Sequence, residues 1–372
     1  MNINSPPIDV EITVESDSLD RSAFYNVCFI TENDIVPRTV EVSNLSELLS
    51  YGYTRDSLAY NFCLTVFAQQ SIPSVYVRAK RKGETYSQAF TSDTNAGYYF
   101  VVIDSKIDED VEAFNEYLTD ADEFKLQFYS SNKLPIEGKK LVHYTSSFSV
   151  ENTSIFAGNT YRLVGDKVGK AGLIPDITHV VTRDSYISKS LNLGLISPKD
   201  GETSIDNFQT ARTAYPEAAW IAECANSFPS RVQWLHKYLV KPDVMSYSDI
   251  PDRSNTTAIV LDTKAIVGSG ATMQGVLIHE QVSLDWVKWA ISRKVWNLLY
   301  NSTKLPSTIG GTELIKNEIK NVLDLAVEEG VFSKYHIKDI SIAKDKETVK
   351  ASFSATLMHS ILGASISGSL YH

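Results

Sequence analysis

Hydrophobic and polar residues alternate along two stretches of this chain, one near each end. In Ile8-Asp9-Val10-Glu11-Ile12-Thr13-Val14-Glu15 the apolar side chains fall on every second position, the period of a strand with one buried face. The same period recurs in Val349-Lys350-Ala351-Ser352-Phe353-Ser354-Ala355-Thr356-Leu357. Polar stretches, Glu15 to Ser22 and Lys344 to Thr348, set both segments apart from the bulk.

Between them the pattern changes. Tyr25 to Thr31, Val75 to Val77 and Tyr98 to Ile103 are near-continuous apolar runs that read as buried strands, and Phe124 to Tyr129 reads as another strand. Leu45 to Gln70 reads as two helical pieces broken near Gly52, the second capped at Asp56 or Ser57 and ended by Pro73. Asp110 to Leu118 reads as an amphipathic helix with Val111, Phe114 and Leu118 inward. Strand, helix and strand at these spacings make βαβ units, so a mixed α/β and α+β chain with partly parallel pairing is expected. Residues 133–172 are rich in Ser, Thr, Asn and Gly with interleaved aromatics, which fits a β-rich excursion of short strands or an exposed lobe. Further short strands are expected at His179–Thr182, Ile259–Leu261 and Ala265–Val267, and a helix opened by proline at Ala214–Trp220.

The last third is strongly helical. Val282 to Ser302 carries Leu284, Val287, Ile291, Val295 and Leu298 on one stripe and Trp286, Trp289, Trp296 and Tyr300 on another, so burial on two sides is expected. Thr312 to Gly330 places Leu314, Ile315, Ile319, Val322, Leu323, Ala326 and Val327 inward, with Gly330 suited to the position after the C-cap.

With 372 residues, 43% hydrophobic and 22% charged, the chain can bury two moderate cores, and its composition argues against extended disorder. A net charge of −10 disfavours a nucleic-acid partner, which requires a clustered basic surface. The one basic run, Arg78, Lys80, Arg81 and Lys82, reads as a solvated loop before Gly83. Cys28, Cys63 and Cys224 are too scattered for a zinc or disulfide framework. No run of about 18 apolar residues is present, and Met1 to Pro7 has neither the basic nor the apolar region of a secretory signal. A reducing, soluble compartment with no membrane partner is expected.

The terminal strands have two possible uses. They can complete the protein's own sheet, or they can cross to a neighbouring copy and add to an open sheet edge. A nine-residue strand spans roughly 30 Å, enough to leave its own domain. Head-to-tail exchange of this kind propagates as rings or open helices.

Several segments resemble the sheath proteins of contractile phage tails. Asp285-Trp286-Val287-Lys288, Val295-Trp296-Asn297-Leu298-Leu299, Lys304-Leu305-Pro306-Ser307-Thr308 and Gly310-Gly311 resemble that family's Asp-Trp-Leu helix, Lys-Ile-Pro turn and following helix. Tyr215-Pro216-Glu217-Ala218-Ala219 and Phe67-Ala68-Gln69-Gln70 resemble two further family segments. The resemblance runs from about Leu45 to Gly330; Ser307 stands where the family often has an aromatic residue, and 133–172 has no counterpart. It implies an N-terminal linker strand at 1–22, an outer α/β lobe at 23–240, an inner C-terminal α/β domain at 241–343 and a C-terminal strand extension at 344–372. Ile8, Val10, Ile12, Val14, Val349, Ala351, Phe353, Ala355 and Leu357 would then exchange between subunits. Trp286, Trp289, Ile291, Trp296, Leu298, Ile319 and Leu323 would form the inner-domain core. The implied role is a structural, non-enzymatic subunit of the virion tail, assembled in the host cytoplasm. Implied partners are further copies of the chain in stacked hexameric rings, the tail tube, the baseplate and the tail terminator. A tailocin or another contractile injection device would use nearly the same subunit, and a soluble α/β enzyme is the competing class.

Catalytic patterns are weak. Gly268-Ser269-Gly270-Ala271-Thr272-Met273-Gln274-Gly275 departs from G-x-G-x-x-G and no Walker Lys-Ser/Thr follows, so it reads as a turn. His279-Glu280 lacks the second histidine of H-E-x-x-H and reads as a polar surface pair. The acidic stretch Asp104 to Glu123 reads as a solvated helix face, the seven histidines are dispersed, and no cofactor is expected.

Overall fold

The computed structural model describes residues 24–360 except 56, 70–71, 92–96, 122, 132–135, 146–160, 165–171, 176–195, 199–207, 211–214, 240–257, 262–263, 268–269 and 344–347. His179–Thr182 and the alternating segment at residues 8–15 lie outside the described residues. Two compact units form. One comprises the described residues from Phe24 to Ser227 together with those of His236–Ile278, and the other Phe228–Leu235 together with the described residues from His279 to Ser360. The boundary expected at 240/241 thus falls within the first unit.

The first unit is built on a six-stranded sheet of β1 (Val27–Glu32), β2 (Thr39–Val42), β3 (Val75–Lys80), β4 (Phe100–Ile103), β5 (Leu126–Ser131) and β6 (Leu141–Thr145). Their order is β2-β3-β1-β4-β5-β6, parallel throughout except for β2 at the edge. Among the parallel strands the order is second, first, third, fourth, fifth, the doubly wound arrangement whose switch point lies beside β1. Strands buried on both faces need apolar residues at consecutive positions, and β1 and β4 supply them, while β5 also buries Gln127, Ser130 and Ser131.

Helices α1 (Leu45–Ser50), α2 (Leu58–Ala68), α3 (Tyr86–Thr91), α4 (Asp108–Asp120) and α5 (Pro216–Cys224) complete the layers. Asn44 and Ser57 cap α1 and α2 by accepting from Glu47 N and Tyr60 N, and Pro216 opens α5 where its missing N–H costs nothing. Cys28, Ile30, Val101 and Ile103 pack with Ala89, Phe90, Val111, Phe114 and Leu118 from α3 and α4. A separate aromatic set joins Phe29, Phe62 and Tyr215, and Trp220 meets Phe128 and Tyr144 edge-on.

Two expectations are corrected here. Leu141–Thr145, expected within a β-rich excursion, is a parallel strand of the main sheet. The basic run is not a solvated loop: Arg78 is fully buried with Nε donating to Ala89 O, Lys80 pairs with Glu32 at 2.6 Å, and Arg81 donates to Asn33 O and Val36 O. Their partners come from distant parts of the chain, which local composition does not reveal. Short antiparallel pairs β7 (Tyr161–Val164) with β8 (Gly172–Pro175), β9 (Ile196–Pro198) with β10 (Phe208–Thr210), and β11 (Ala258–Leu261) with β12 (Lys264–Val267) lie outside the main sheet.

The second unit consists of α6 (Ile278–Asn301), α7 (Ile309–Glu328) and the antiparallel pair β13 (Phe332–Ile342) and β14 (Val349–Leu357). The Phe228–Leu235 segment belongs to it, with Phe228 edge-on to Trp286 at 4.7 Å and Arg231 paired to Glu329 at 2.7 Å.

Candidate assembly interface

The turn between α6 and α7 explains the second of the two adjacent glycines. Thr308 N donates to Pro306 O, and Gly311, in the first turn of α7, lies so close to that carbonyl that a Cβ would stand 2.0 Å from its oxygen. At the other end of α7, Gly330 has φ +77°, Gly330 N donates to Val327 O and Val331 N donates to Ala326 O. This is a Schellman closure, and it turns the chain from α7 into β13.

β13 and β14 pair from Ile342 opposite Val349 to Phe332 opposite Leu357, with register shifts between Phe332 and Lys334 and between Ile337 and Asp339. Tyr335, Ile337, Ile340 and Ile342 of β13 and Val349, Ala351, Phe353 and Leu357 of β14 are half-buried, while Ala355 is exposed. The intervening positions Lys334, His336, Lys338, Lys350, Ser352, Ser354 and Thr356 are exposed. β13 packs beside α7, where Tyr335 Oη donates to Asp324. No third strand joins the pair among the described residues. A two-stranded pair is marginal in water on its own, and among the described residues its outer edges carry no further strand, the kind of edge that can template another.

The inner-domain residues expected from sequence divide by depth. Trp286, Trp289, Ile291, Ile319 and Leu323 are buried and Leu298 is half-buried. Trp296 is 43% exposed and Tyr300 78%, so the second stripe of α6 is buried only in its first half. At 24 residues, α6 is about 36 Å long and outruns the residues that pack on it. Val349, Ala351, Phe353, Ala355 and Leu357, expected to leave for a neighbour, pair with β13 of their own chain. Ile8, Val10, Ile12 and Val14 lie outside the described residues.

His279 and Glu280 are not a surface pair. His279 is buried and its Nε2 is 3.2 Å from Ser360 Oγ, while Glu280 Oε1 is 2.8 Å from His359 Nδ1, so the first turn of α6 holds the residues that follow β14. Burial holds the His279 imidazole below its ordinary range, against the neighbouring Glu280 carboxylate, which raises it, and with a smaller lowering contribution from His359.

A cleft of 530 Å³ opens in the first unit at the carboxyl ends of β1, β3 and β4, lined by Glu32, Lys80, Tyr86, Asp104, Lys106 and Asp110 among others. Such a position is the usual ligand crevice of a doubly wound sheet. Here its polar groups are engaged with one another. Asp104 accepts from Tyr86 Oη at 2.6 Å, Thr31 Oγ1 at 2.9 Å and Glu32 N at 3.0 Å, although burial raises its pKa. Ser105 Oγ donates to Asp110, and Lys106 Nζ donates to Ser130 O and lies 3.8 Å from Glu217. These bonds tie strand ends together, a role that sequence spacing did not signal. Among the described residues no group of three or more His, Cys, Asp or Glu side chains is placed to hold a metal, and no helix is long and apolar enough to cross a membrane.

Residues 278–338 match the family described as E217 tail sheath protein gp31-like, C-terminal domain. A chain of the anti-feeding prophage baseplate superposes with a TM-score of 0.61 over 97% of both chains at 8% identity. The contracted helical sheath of the same particle gives 0.56 over 99% of this chain and 97% of that one, also at 8% identity. The fold is that of a contractile-tail sheath protein. The sheath tail protein Lin1278 from Listeria innocua agrees, with a TM-score of 0.54 over 93% of this chain and 94% of its own at 8% identity. No curated protein matches the sequence. The sheath-type fold therefore extends across both units, and the matched segment contains α6, α7 and most of β13.

Proposed function

We propose that the chain is the sheath subunit of a contractile phage tail. The observation that carries this reading is the likeness to sheath proteins over nearly the whole of both chains. Copies stack as hexameric rings around a tail tube, between baseplate and terminator, and contraction re-docks them as rigid bodies to drive the tube through the host envelope. The subunit acts by contact and not by catalysis, needs no cofactor, and joins the virion in the host cytoplasm. The open edges of β13 and β14 receive strands from neighbours, and the alternating segment around Ile8, Val10, Ile12 and Val14 is a donor. β14 itself stays at home as part of the acceptor. The likeness to anti-feeding prophage and PVC assemblies favours a second reading, the same subunit in an injection particle instead of a phage tail.

Negative-stain microscopy of the purified protein, alone and with the tube protein of the same particle, tests the proposal. Rings, tubes or striated sleeves are expected. Uniform small particles under both conditions would overturn it.

A further inference from the structure

The alternating segment at residues 8–15 and the exposed positions of β13 carry opposite charges. In residues 8–15 the polar positions are Asp9, Glu11, Thr13 and Glu15, with no Lys or Arg before Arg21. On the pair that remains in place, the exposed positions of β13 are Lys334, His336 and Lys338 at successive two-residue steps, followed by Asp339, and β14 adds Lys350. No ion pair of Lys334 or Lys338 is found among the described residues. Residues 361–372, the other polar-apolar stretch near a chain end, contain no carboxylate side chain.

We infer that the open edge of β13 selects its incoming strand by charge, Lys334 and Lys338 pairing with the carboxylates of residues 9–15 from a second copy. Strand addition through backbone hydrogen bonds is blind to sequence, so an edge that must take one end of the chain and refuse the other needs side-chain discrimination. Period two supplies it. When Ile8, Val10, Ile12 and Val14 lie on the same face as Tyr335, Ile337, Ile340 and Ile342, Asp9, Glu11 and Glu15 necessarily lie on the face of Lys334 and Lys338. A one-residue slip puts apolar side chains against the lysines and carboxylates against the isoleucines. Charge thus fixes register as well as partner. Opposite charges on facing strands attract and like charges repel, and both lysines are exposed, so the selection weakens as salt rises.

The inference rests on the assembly reading above, and reciprocal charge reversal separates the two. One full-length variant carries Lys334→Glu and Lys338→Glu; another carries Asp9→Lys, Glu11→Lys and Glu15→Lys. The concentration at which polymer appears is followed by light scattering and microscopy. Each variant alone is expected to need about tenfold more protein than the wild type, and an equimolar mixture is expected to assemble near the wild-type concentration, because each then meets an oppositely charged partner. That recovery also shows that both variants are folded. Wild-type-like assembly of either variant alone, or a mixture no better than its components, overturns charge selection and leaves the sheath reading standing. Absence of polymer from every chain, with tube protein included, overturns both.

Discussion

Replacing the two glycines that bound α7 separates a steric requirement from a conformational one. A methyl group at Gly311 would place Cβ 2.0 Å from Pro306 O, an atom of the backbone that cannot rotate aside and that also accepts from Thr308 N. Gly311→Ala must therefore push the Lys304–Pro306 turn away from α7, at a cost near the upper end of overpacking, about 3 kcal/mol. At Gly330 the nearest atom to a new Cβ is Met358 Sδ at 3.7 Å, an ordinary contact, so only the positive φ opposes the change. Gly330→Ala should cost about 1 kcal/mol, and Gly330→Asn less, because Asn tolerates the left-handed region. Urea unfolding followed by tryptophan fluorescence reports on this unit, since Trp234, Trp286, Trp289 and Trp296 lie in it and only Trp220 lies in the other. A Gly311→Ala midpoint equal to or above that of Gly330→Ala would refute the argument.

The depth division along α6 predicts that Trp286→Ala lowers stability by about 3–5 kcal/mol, as for other buried aromatics, while Trp296→Ala costs under about 1 kcal/mol; thermal melts of the two variants check it. His143, whose imidazole is pushed down to about 3 by burial and by Lys106, is neutral in the folded chain and charges on unfolding below 6.5. Stability is therefore retained above pH 6.5 and lost as pH falls towards 3, by about 2 kcal/mol at pH 5, and His143→Gln should flatten that slope in urea titrations at several pH values. Lys125 is held down to about 8 by burial, so its charge destabilises the fold at neutral pH, and unfolding should become harder as pH rises from 8 to 10.5. Lys125→Met should abolish that rise, as seen in melts between pH 7 and 10.

Local pattern was a good guide where burial is decided by the segment itself. The strands at Val27–Glu32 and Phe100–Ile103 and the first half of that at Val75–Lys80 announce themselves as apolar runs, and α4 and α7 by helical period. It failed where a polar residue is buried by a partner far along the chain. β6 was hidden because His143 and Thr145 interrupt its apolar run, and His143 Nε2 meets Ser131 Oγ from the neighbouring strand. Arg78, Lys80 and Arg81 were misread for the same reason, and Trp296 because period alone does not say where the packing partners of a long helix end. The alternation at Val349–Leu357 identified a strand with two unlike faces, yet the identity of its neighbour depends on the chain reversing between Ile342 and Val349, which no period records.

Under the proposed strand exchange, order-of-magnitude energetics make the β13 edge a reversible joint. Fixing eight residues of an incoming strand costs roughly 8–16 kcal/mol in backbone entropy. Burying Ile8, Val10, Ile12 and Val14 returns about 6–12 kcal/mol, and some six new backbone hydrogen bonds return about 6 kcal/mol net. Two cross-strand ion pairs add about 1 kcal/mol. Gain and cost cancel to within a few kcal/mol, so a term as small as the ion pairs decides whether the strand docks. In the proposed array a linkage of that size would hold because every copy makes it, and it would let neighbouring subunits move without any of them unfolding. For this reason the lysines of β13, which contribute almost nothing to the stability of the single chain, have leverage over the assembly out of proportion to their energy.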